Sequence, residues 1–248
     1  MSTSRSTPPR PAGGTTQGAR ARARQEVTAA IKDEARRQLA EDGAAKLSLR
    51  AVARELGMVS SALYRYFPSR DDLLTALIID AYDSLGEAAE RADAAYREIG
   101  EPGEPVTPTG RWVTVCQAVR VWALGHPHEY ALIYGSPVPG YTAPATTVPA
   151  ASRVGLLLIA VVRDAYEDKG VALSPLKSGV RAEAHRMAAD LAPDLPPEVA
   201  VALVAAWAQL FGLVGFEVFG QFHRVVEDRA AFFAHAAANL AHGVGLLR

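Results

Sequence analysis

The stretch that most constrains the fold runs from residue 47 to 74, LSLRAVARELGMVSSALYRYFPSRDDLL. Ser48 can cap a helix whose apolar residues recur at helical spacing. Gly57 predicts where that helix ends, because glycine adopts the left-handed conformation after a helix at little steric cost. Ser60 or Ser61 can then cap a second short helix. Two short helices around a glycine turn predict a helix-turn-helix, whose second helix usually enters the major groove of DNA.

Two further helices are predicted beside this motif. Ser69 with Asp72 forms a variant of the capping box, so the next helix is expected to open at Arg70. Upstream, residues 24–42 show an amphipathic pattern that Gly43 ends. We expect the apolar face of that upstream helix to pack on the helix-turn-helix.

The charge is divided along the chain, although the net charge is only -1. Residues 1–70 carry 13 Lys+Arg against 6 Asp+Glu, a net +7, whereas residues 71–248 carry 13 against 21, a net -8. A basic segment that contains a helix-turn-helix indicates a polyanionic partner such as double-stranded DNA. The alternative is that the charge segregation is accidental.

The N-terminal residues lack any apolar periodicity. Residues 1–20 are rich in Ser, Thr, Pro and Gly and are predicted to be disordered. Arg20, Arg22 and Arg24 can lie along phosphates or in the minor groove, or they can belong to a solubilising tail. The predicted organisation has three parts: a disordered arm over 1–21, a helix-turn-helix domain over 22–70 and a larger helical domain over 71–248.

The pattern remains helical and rich in alanine in the rest of the chain. Glycines and prolines predict loops over 100–110 and 135–149. No stretch alternates long enough to demand a strand. Further helices are predicted over 111–124, 127–134, 152–169, 175–191, 198–222 and 228–246. The predicted fold class is all-α, with a three-helix N-terminal domain and a larger C-terminal helical domain.

The segment from Val199 to Phe216 holds 18 residues without a charge. This length is just within the range of a membrane span. Gln209 and two glycines interrupt it and charged residues flank it closely, so we predict no membrane span. Two apolar terminal helices favour a four-helix bundle across a two-fold axis, and a monomer that buries both helices is the alternative. The predicted dimer interface comprises Ala205, Ala208, Gly212, Gly215, Phe219, Phe233, Ala237 and Leu240.

Cysteine content and the N-terminal composition bear on location. The single cysteine, Cys116, excludes an internal disulfide and a multi-cysteine zinc site, which fits a reducing compartment. No signal peptide is visible, because the first 25 residues lack an apolar core segment. We therefore expect a cytoplasmic protein.

The run from Gly43 to Leu74 closely resembles the DNA-binding signature of the TetR family of bacterial transcriptional regulators. The features that carry the resemblance are Ser48, Val52-Ala53, Leu56-Gly57, Ala62-Leu63-Tyr64, Tyr66-Phe67, and Ser69-Arg70 followed by Leu73. The resemblance covers about residues 22–80 directly. It implies a ligand-responsive repressor, less often an activator, that acts as a homodimer on a palindromic operator. The larger domain would then bind a small-molecule effector and dimerise.

The resemblance also implies which residues meet DNA. Ser48 and Arg50 fall where family members contact phosphates, and Tyr64 and Tyr66 fall where they contact the backbone or thymine methyls. Arg70, at a helix N-terminus, is expected to hold a phosphate. The full candidate set is Arg22, Arg24, Ser48, Arg50, Val59, Ser60, Ser61, Ala62, Tyr64, Tyr66 and Arg70.

Several of these positions have a structural alternative. Val59 and Ala62 can simply pack, and Tyr64 can belong to the core with a solvated hydroxyl. Ser60 and Ser61 can serve only as caps, and they stand where many family members have a polar or basic residue and a glycine or proline. Because serine hydroxyls read bases ambiguously, these two residues do not specify the operator sequence.

The helices between about 111 and 190 are predicted to enclose a mostly apolar pocket. Aromatic residues at helical spacing are more often core than ligand site, and that alternative stays open. Tyr141 and Phe216 are further aromatic residues of this part of the chain. The lack of concentrated charge favours a neutral, largely apolar effector. The candidate lining residues are Trp112, Cys116, Trp122, Tyr130, Tyr134, Tyr166, Trp207 and Phe211.

Other function classes have weaker signals. The pairs His126–His128 and His235–His242 do not match HExxH spacing, and the sequence has no glycine-rich phosphate loop and no GxSxG motif. We predict no catalysis, no cofactor and no bound metal. Two alternatives stay open: a metal-responsive DNA-binding sensor that uses His126, His128 and Glu129, and a helical interaction module without specific DNA binding.

Overall fold

The computed structural model describes residues 15–99, 106–168, 170–173 and 175–246. These residues form helices and connecting turns without a strand, so the all-α fold class is confirmed for the described part of the chain. The chain divides into two compact units, Met1–Leu73 and Leu74–Arg248. Helix α4 (Arg70–Ile99) begins in the first unit and continues in the second.

The first unit is a small helical domain around the helix-turn-helix. It contains α1 (Thr15–Asp42), a 3-10 turn (Ala44–Lys46), α2 (Leu49–Glu55) and α3 (Ser60–Leu63). Helix α1 packs against α2, and α2 packs against α3. The core of this unit is apolar, as the amphipathic patterns predict, and its buried residues include Ile31, Ala35, Leu39, Val52 and Leu63.

Helix α1 begins earlier than predicted. It starts at Thr15, so residues 15–21 of the predicted disordered arm are helical. The segment from 19 to 24 alternates alanine with arginine, two strong helix formers, and it extends a helix that is already nucleated by packing further along. Apolar periodicity is therefore not required there. The rest of the predicted arm, residues 1–14, lies outside the described residues.

The predicted caps are confirmed at α2 and α4 but not at α3. The Ser48 Oγ accepts a hydrogen bond from the Ala51 amide at 3.4 Å, and Gly57 has φ 62°. The Ser69 Oγ accepts from the Asp72 amide at 3.1 Å and donates to its carboxylate at 2.7 Å. Helix α3 instead follows Val59, whose extended backbone precedes it without any side-chain cap. Ser60 and Ser61 are the first two residues of α3, so their hydroxyls are not used as caps.

The second unit is built around helix α5 (Pro108–Gly125). After α4 and α5 come α6 (Pro127–Tyr134), a 3-10 turn (Ala145–Thr147) and α7 (Val148–Asp168). A second 3-10 turn (Ser178–Val180) then precedes α8 (Arg181–Leu191), α9 (Pro197–Val218) and α10 (Arg229–Gly243). Helix α5 packs against α6, α7, α9 and α10, so it lies at the centre of this unit.

Arginine–carboxylate pairs fix α5 to its neighbours. Arg111 binds Asp93 of α4 at 2.9 and 3.1 Å and Asp164 of α7 at 2.7 Å. Arg120 forms a two-pronged pair with Glu217 of α9, with both distances at 2.6 Å. The Arg111–Asp93 and Arg120–Glu217 pairs are largely buried, whereas the Asp164 side chain is 52% exposed. Removing one partner of a buried pair would leave an uncompensated charge, so these pairs tie α5 to α4 and α9.

Two helices of the described residues are long and apolar enough to cross a membrane by length and composition. They are the span from Ala145 to Asp168 and the helix Pro197–Val218. Each buries apolar residues in the core of the second unit, such as Leu158 and Val162 in α7 and Leu210 and Val214 in α9. This packing accounts for part of their apolar composition, since 33% and 39% of the two apolar stretches are buried.

Part of the predicted dimer interface, the three residues on helix α10, differs in the structure. Phe233, Ala237 and Leu240 are buried within the single chain, with exposures of 1%, 0% and 7%. They face the core because α10 packs on α5 and α9. Their assignment to a free interface is therefore wrong, since the apolar stripe of α10 is already used inside the protomer.

Candidate nucleic-acid interface and ligand cavity

Helix α3 presents a small set of side chains to solvent. Leu63 is fully buried and Ala62 is half-buried, which fixes the helix on the core of the first unit. Val59 is 69% exposed and Tyr64 is 41% exposed, and Ser60 and Ser61 are exposed as well. Tyr64 is therefore not a core residue. The exposed N-terminal end of such a helix is the part that reads base edges in helix-turn-helix proteins.

Basic residues flank this exposed surface. Arg50, in the first turn of α2, and Arg65, directly after α3, are both exposed. Within the described part of the chain, neither guanidinium has an ion-pair or hydrogen-bond partner. Arg50 belongs to the predicted set, whereas Arg65 was missed. The sequence feature that could have identified Arg65 is its position, because it is a basic residue within two positions of the recognition helix.

The extended α1 brings further cations to the same unit. Arg22 and Arg24 are exposed, and the Arg24 guanidinium lies over the Tyr66 ring, 5.2 Å from its centroid. This cation–π contact joins the N-terminal part of α1 to the turn that follows α3. The predicted arm residues are thus held by a helix beside a predicted DNA-contacting tyrosine.

Ser48 and Arg70 are less available than predicted. The half-buried Ser48 Oγ caps α2 as an acceptor, so its O–H proton can still donate to a phosphate. Arg70 donates from Nη2 to the carbonyls of Ala44 and Ala45 at 2.9 and 3.3 Å, and from Nε to that of Leu47 at 3.2 Å. Most of its donors therefore hold the turn before α2, and its role as a phosphate contact stays a prediction.

The second unit encloses a cavity of about 700 Å³. Its walls come from α4, α6, the segment between 138 and 147, α7, the end of α8, and α9. The walls are mostly aliphatic, with representative lining residues Ile78, Leu132, Leu158, Ile159, Leu203 and Val204. A cavity of this size and composition is typical of a site for a drug-sized, apolar molecule.

Hydroxyl groups supply most of the polarity of this cavity. The Tyr82 hydroxyl donates to the Ile133 carbonyl at 3.3 Å, and burial raises the pKa of this phenol so that it stays protonated. Tyr141 shares a hydrogen bond of 2.8 Å with the Thr75 hydroxyl. The charged lining residue is Asp190, which pairs with Arg186 at 3.4 Å on the surface of α8.

One of the eight predicted pocket residues, Trp207, lines this cavity, and it is 45% exposed. Trp112, Cys116 and Trp122 are instead buried in the core, because α5 is surrounded by other helices. Burial also raises the pKa of the Cys116 thiol, which makes it unreactive. These three α5 residues were wrong as lining residues of this cavity.

The remaining predicted pocket residues lie behind the cavity wall or outside it. The Tyr130 hydroxyl donates to the Phe211 carbonyl at 2.8 Å, and the Tyr134 ring stacks on Phe211 at 4.1 Å. These three aromatic side chains join α6 to α9 and are not among the lining residues, and neither is Tyr166, which is 40% exposed. Ile78 and Tyr82 of α4 line the cavity but were not predicted to do so. Both belong to the long apolar pattern that opens at Arg70, and this pattern is the sequence signal that could have identified them.

The geometry does not favour the metal-sensor alternative. The His126 Nδ1 lies 2.9 Å from the Trp122 carbonyl oxygen, and its ring stacks on the Trp122 ring at 4.9 Å. Among the residues that the structure describes, no group of three His, Cys, Asp or Glu side chains is arranged to hold a metal ion.

Comparison with known families and proteins gives a match for the helix-turn-helix region and another for the larger helical region. Residues 31–77 match the family described as bacterial regulatory proteins, tetR family, and residues 112–240 match the tetracyclin repressor-like C-terminal domain. The chain is similar to the HTH-type transcriptional regulator Rv1816 of Mycobacterium tuberculosis (strain ATCC 25618 / H37Rv). The two are 38% identical over 216 residues, which cover 83% of this chain and 86% of the relative.

Solved structures show the same fold. The crystal structure of SCO4313, a protein assigned a regulatory role, superposes with a TM-score of 0.72 at 32% identity and covers 90% of this chain and 98% of that one. A protein of unknown function from Rhodococcus sp. RHA1 superposes with a TM-score of 0.62 at 22% identity, covering 89% of this chain and 95% of its own.

Proposed function

Because the chain belongs to the TetR family of bacterial transcriptional regulators, we propose that it is a ligand-responsive repressor. In this proposal a homodimer binds a palindromic operator, and a small, largely apolar effector releases it. One observation carries the ligand response: the cavity of about 700 Å³ lies in the same chain as a helix-turn-helix with an exposed recognition helix.

The DNA contacts divide into two kinds. Arg22, Arg24, Arg50 and Arg65 are exposed cations that can neutralise phosphates. The base-reading contacts would come from α3, where Val59, Ser60, Ser61 and Tyr64 are exposed, and Tyr66 would add a backbone contact beside them. Two hydroxyls and one apolar side chain at the start of α3 favour moderate base discrimination through hydrogen bonds and methyl contacts.

The proposed dimer interface uses the face of α9 that the protomer leaves uncovered. Small residues on this face permit close helix approach, while Phe216 and Phe219 are 54% and 45% exposed. Phe222 joins this face to α10, since its ring lies 5.7 Å from that of Phe216 and 5.5 Å from that of Phe232. Such an apolar surface fits a second copy of the chain across a two-fold axis. The exposed or half-buried positions of this face are Ala205, Ala208, Gly212, Gly215, Phe216 and Phe219.

The chemistry of the cavity sets the class of effector. Its aliphatic walls and the absence of any basic residue among the lining residues disfavour an anionic ligand. On the helical wheel of α9, Trp207 lies apart from the row of small residues that runs from Ala205 to Gly212. Trp207 is therefore on a different side of the helix from the proposed dimer face. The exposure of Trp207 is thus explained by the cavity.

Release of DNA requires a difference in affinity between two states. Recognition helices of a dimer must match half-sites about one helical turn or its multiples apart. Helix α4 carries Arg70 at its start and Ile78 and Tyr82 on the cavity wall, so a ligand that moves these side chains acts on the helix that enters the first unit. A ligand that favours a mismatched spacing shifts the population away from DNA.

The remaining parts of the proposal follow from the family. A regulator of transcription acts where the bacterial chromosome lies, so we place the protein in the cytoplasm. We assign it no catalytic activity, since the family it belongs to consists of transcriptional regulators.

Selection of DNA from a random duplex pool by the full-length protein tests this proposal. We expect enrichment of palindromic sites with half-sites about one helical turn or a multiple of it apart, bound by an even number of protomers. Tyr64→Ala should lose the enrichment, whereas Tyr166→Ala, which alters a tyrosine of equal exposure in the second unit, should keep it. Enriched sites without two-fold symmetry, or no enrichment, would contradict the proposal.

A further inference from the structure

We propose that the Tyr141 hydroxyl is the hydrogen-bond donor that recognises the effector, and that the effector is an apolar molecule with one acceptor oxygen. This inference rests on the proposed function, because it assigns a chemistry to the cavity proposed to bind the effector. It follows from counting which polar groups of the cavity already have partners.

The other hydroxyls of the cavity wall donate to backbone carbonyls. Thr147 donates to the Pro144 carbonyl at 2.9 Å, and Ser152 donates to the Val148 carbonyl at 2.8 Å. Tyr82 donates to the Ile133 carbonyl at 3.3 Å. Each hydroxyl carries one proton, so these three groups have no proton left for a ligand.

Tyr141 differs because its partner is another hydroxyl. The Thr75 Oγ1 and the Tyr141 Oη are 2.8 Å apart, and either atom can donate. The two hydroxyls together carry two protons, and their mutual bond uses one. The second proton has no acceptor among the described residues.

The position of the two side chains decides where that proton goes. Tyr141 lines the cavity, whereas Thr75 is not one of its lining residues. The proton therefore reaches the cavity when Thr75 donates to Tyr141 and Tyr141 donates to the bound molecule. In this arrangement Thr75 also orients the phenol, and successive hydrogen bonds strengthen one another.

The Trp207 indole N–H is the other lining donor without a partner among the described residues, but Trp207 is 45% exposed and its N–H can bind water. Tyr141 is half-buried, so its spare proton is the one that a single ligand acceptor satisfies. A ligand without an oxygen leaves the Tyr141 proton unpaired, and a ligand with several polar groups leaves those groups unpaired instead. A ketone, an ether or an alcohol on a hydrocarbon body meets this requirement. A carboxylate does not, because the one charged lining residue, Asp190, is itself anionic.

A matched pair of probes tests the assignment on the full-length protein. Benzophenone and diphenylmethane have nearly the same shape and differ by a carbonyl in place of a methylene. Their apparent affinities can be measured by displacement of Nile red fluorescence from the wild type, from Tyr141→Phe and from Tyr82→Phe. Differences in water solubility cancel when the ratio of the two affinities is compared between variants.

We expect Tyr141→Phe to lower the benzophenone-to-diphenylmethane affinity ratio about two- to tenfold, the net value of one hydrogen bond. Tyr82→Phe should leave the ratio unchanged, because the Tyr82 proton is already used. Thr75→Val should lower the ratio by a smaller factor, since it removes only the group that orients Tyr141.

Three results would overturn the assignment, and the third is distinguishable from the first two. An unchanged ratio in Tyr141→Phe, or an equal decrease in Tyr82→Phe, would show that Tyr141 does not recognise the oxygen while the cavity still binds apolar molecules. Failure of the wild type to bind Nile red or either probe would overturn the inference together with the proposed effector cavity.

Discussion

At the scale of single residues, Arg50 and Arg70 carry the same charge but have different partners. Arg70 is half-buried and holds three backbone carbonyls of the turn before α2, at distances of 2.9 to 3.3 Å. Arg50 is exposed and has no partner among the described residues. A cation with satisfied donors stabilises the fold, whereas a cation without partners is free to neutralise a phosphate.

Alanine substitution should separate these two roles. Arg70→Ala should unpair the three carbonyls and lower the stability of the first unit by about 1.5–3 kcal/mol, the range for hydrogen bonds to charged groups. Faster hydrogen exchange of the α2 amides in the full-length chain would report this loss.

Arg50→Ala provides the comparison. It should leave the exchange of the α2 amides unchanged, weaken binding to all DNA sequences and reduce the salt dependence of binding by about one unit of slope. Exchange of the α2 amides as slow as in the wild type in Arg70→Ala, or an unaltered salt slope of DNA binding in Arg50→Ala, would contradict the division of roles.

At the scale of elements, α9 has two apolar sides with different uses. One side buries Leu203, Leu210 and Val214 in the core of the second unit. The other side carries Ala205, Ala208 and Gly212, which are exposed in the protomer. A helix that is apolar all round is usually a buried one, and the exposed side is the side that we propose meets a second copy of the chain.

A charge placed on that exposed side should separate the protomers. Ala208→Glu would bury a carboxylate without a partner in the proposed interface and should shift the protein from dimer to monomer at micromolar concentration. Ala94→Glu, an equivalent change at an exposed position of α4, should leave the dimer intact. Sedimentation velocity distinguishes the two species, and a dimeric Ala208→Glu protein would contradict the proposed interface.

The positions of helices could be predicted from the sequence much better than the neighbours against which each helix packs. Helical periodicity, caps and the glycine at 57 indicated α2, α3 and the start of α4, because these signals are local. The three aromatic and sulfur side chains of α5 and the stripe of α10 have the spacing of a ligand or dimer face. They are core because other helices surround them, and that packing depends on the whole fold.

At the scale of the whole molecule, the chain combines a basic unit that presents a recognition helix with an acidic unit that encloses a cavity. Helix α4 is common to both, since it starts at Arg70 and contributes Ile78 and Tyr82 to the cavity wall. In the proposed mechanism a cavity ligand and DNA both act on this helix, and any coupling between their binding free energies is reciprocal.

The most direct test of a ligand-responsive regulator is the affinity of Nile red for the free protein and for the protein saturated with its selected operator. We expect Nile red to bind the operator complex more weakly, by a factor of about 5–150, and to weaken operator binding by the same factor. The Tyr64→Ala variant, which should not bind DNA, should show no effect of operator on Nile red. Equal affinity of Nile red for the free and the operator-bound protein would contradict ligand-controlled DNA binding, because a ligand without differential affinity shifts no equilibrium.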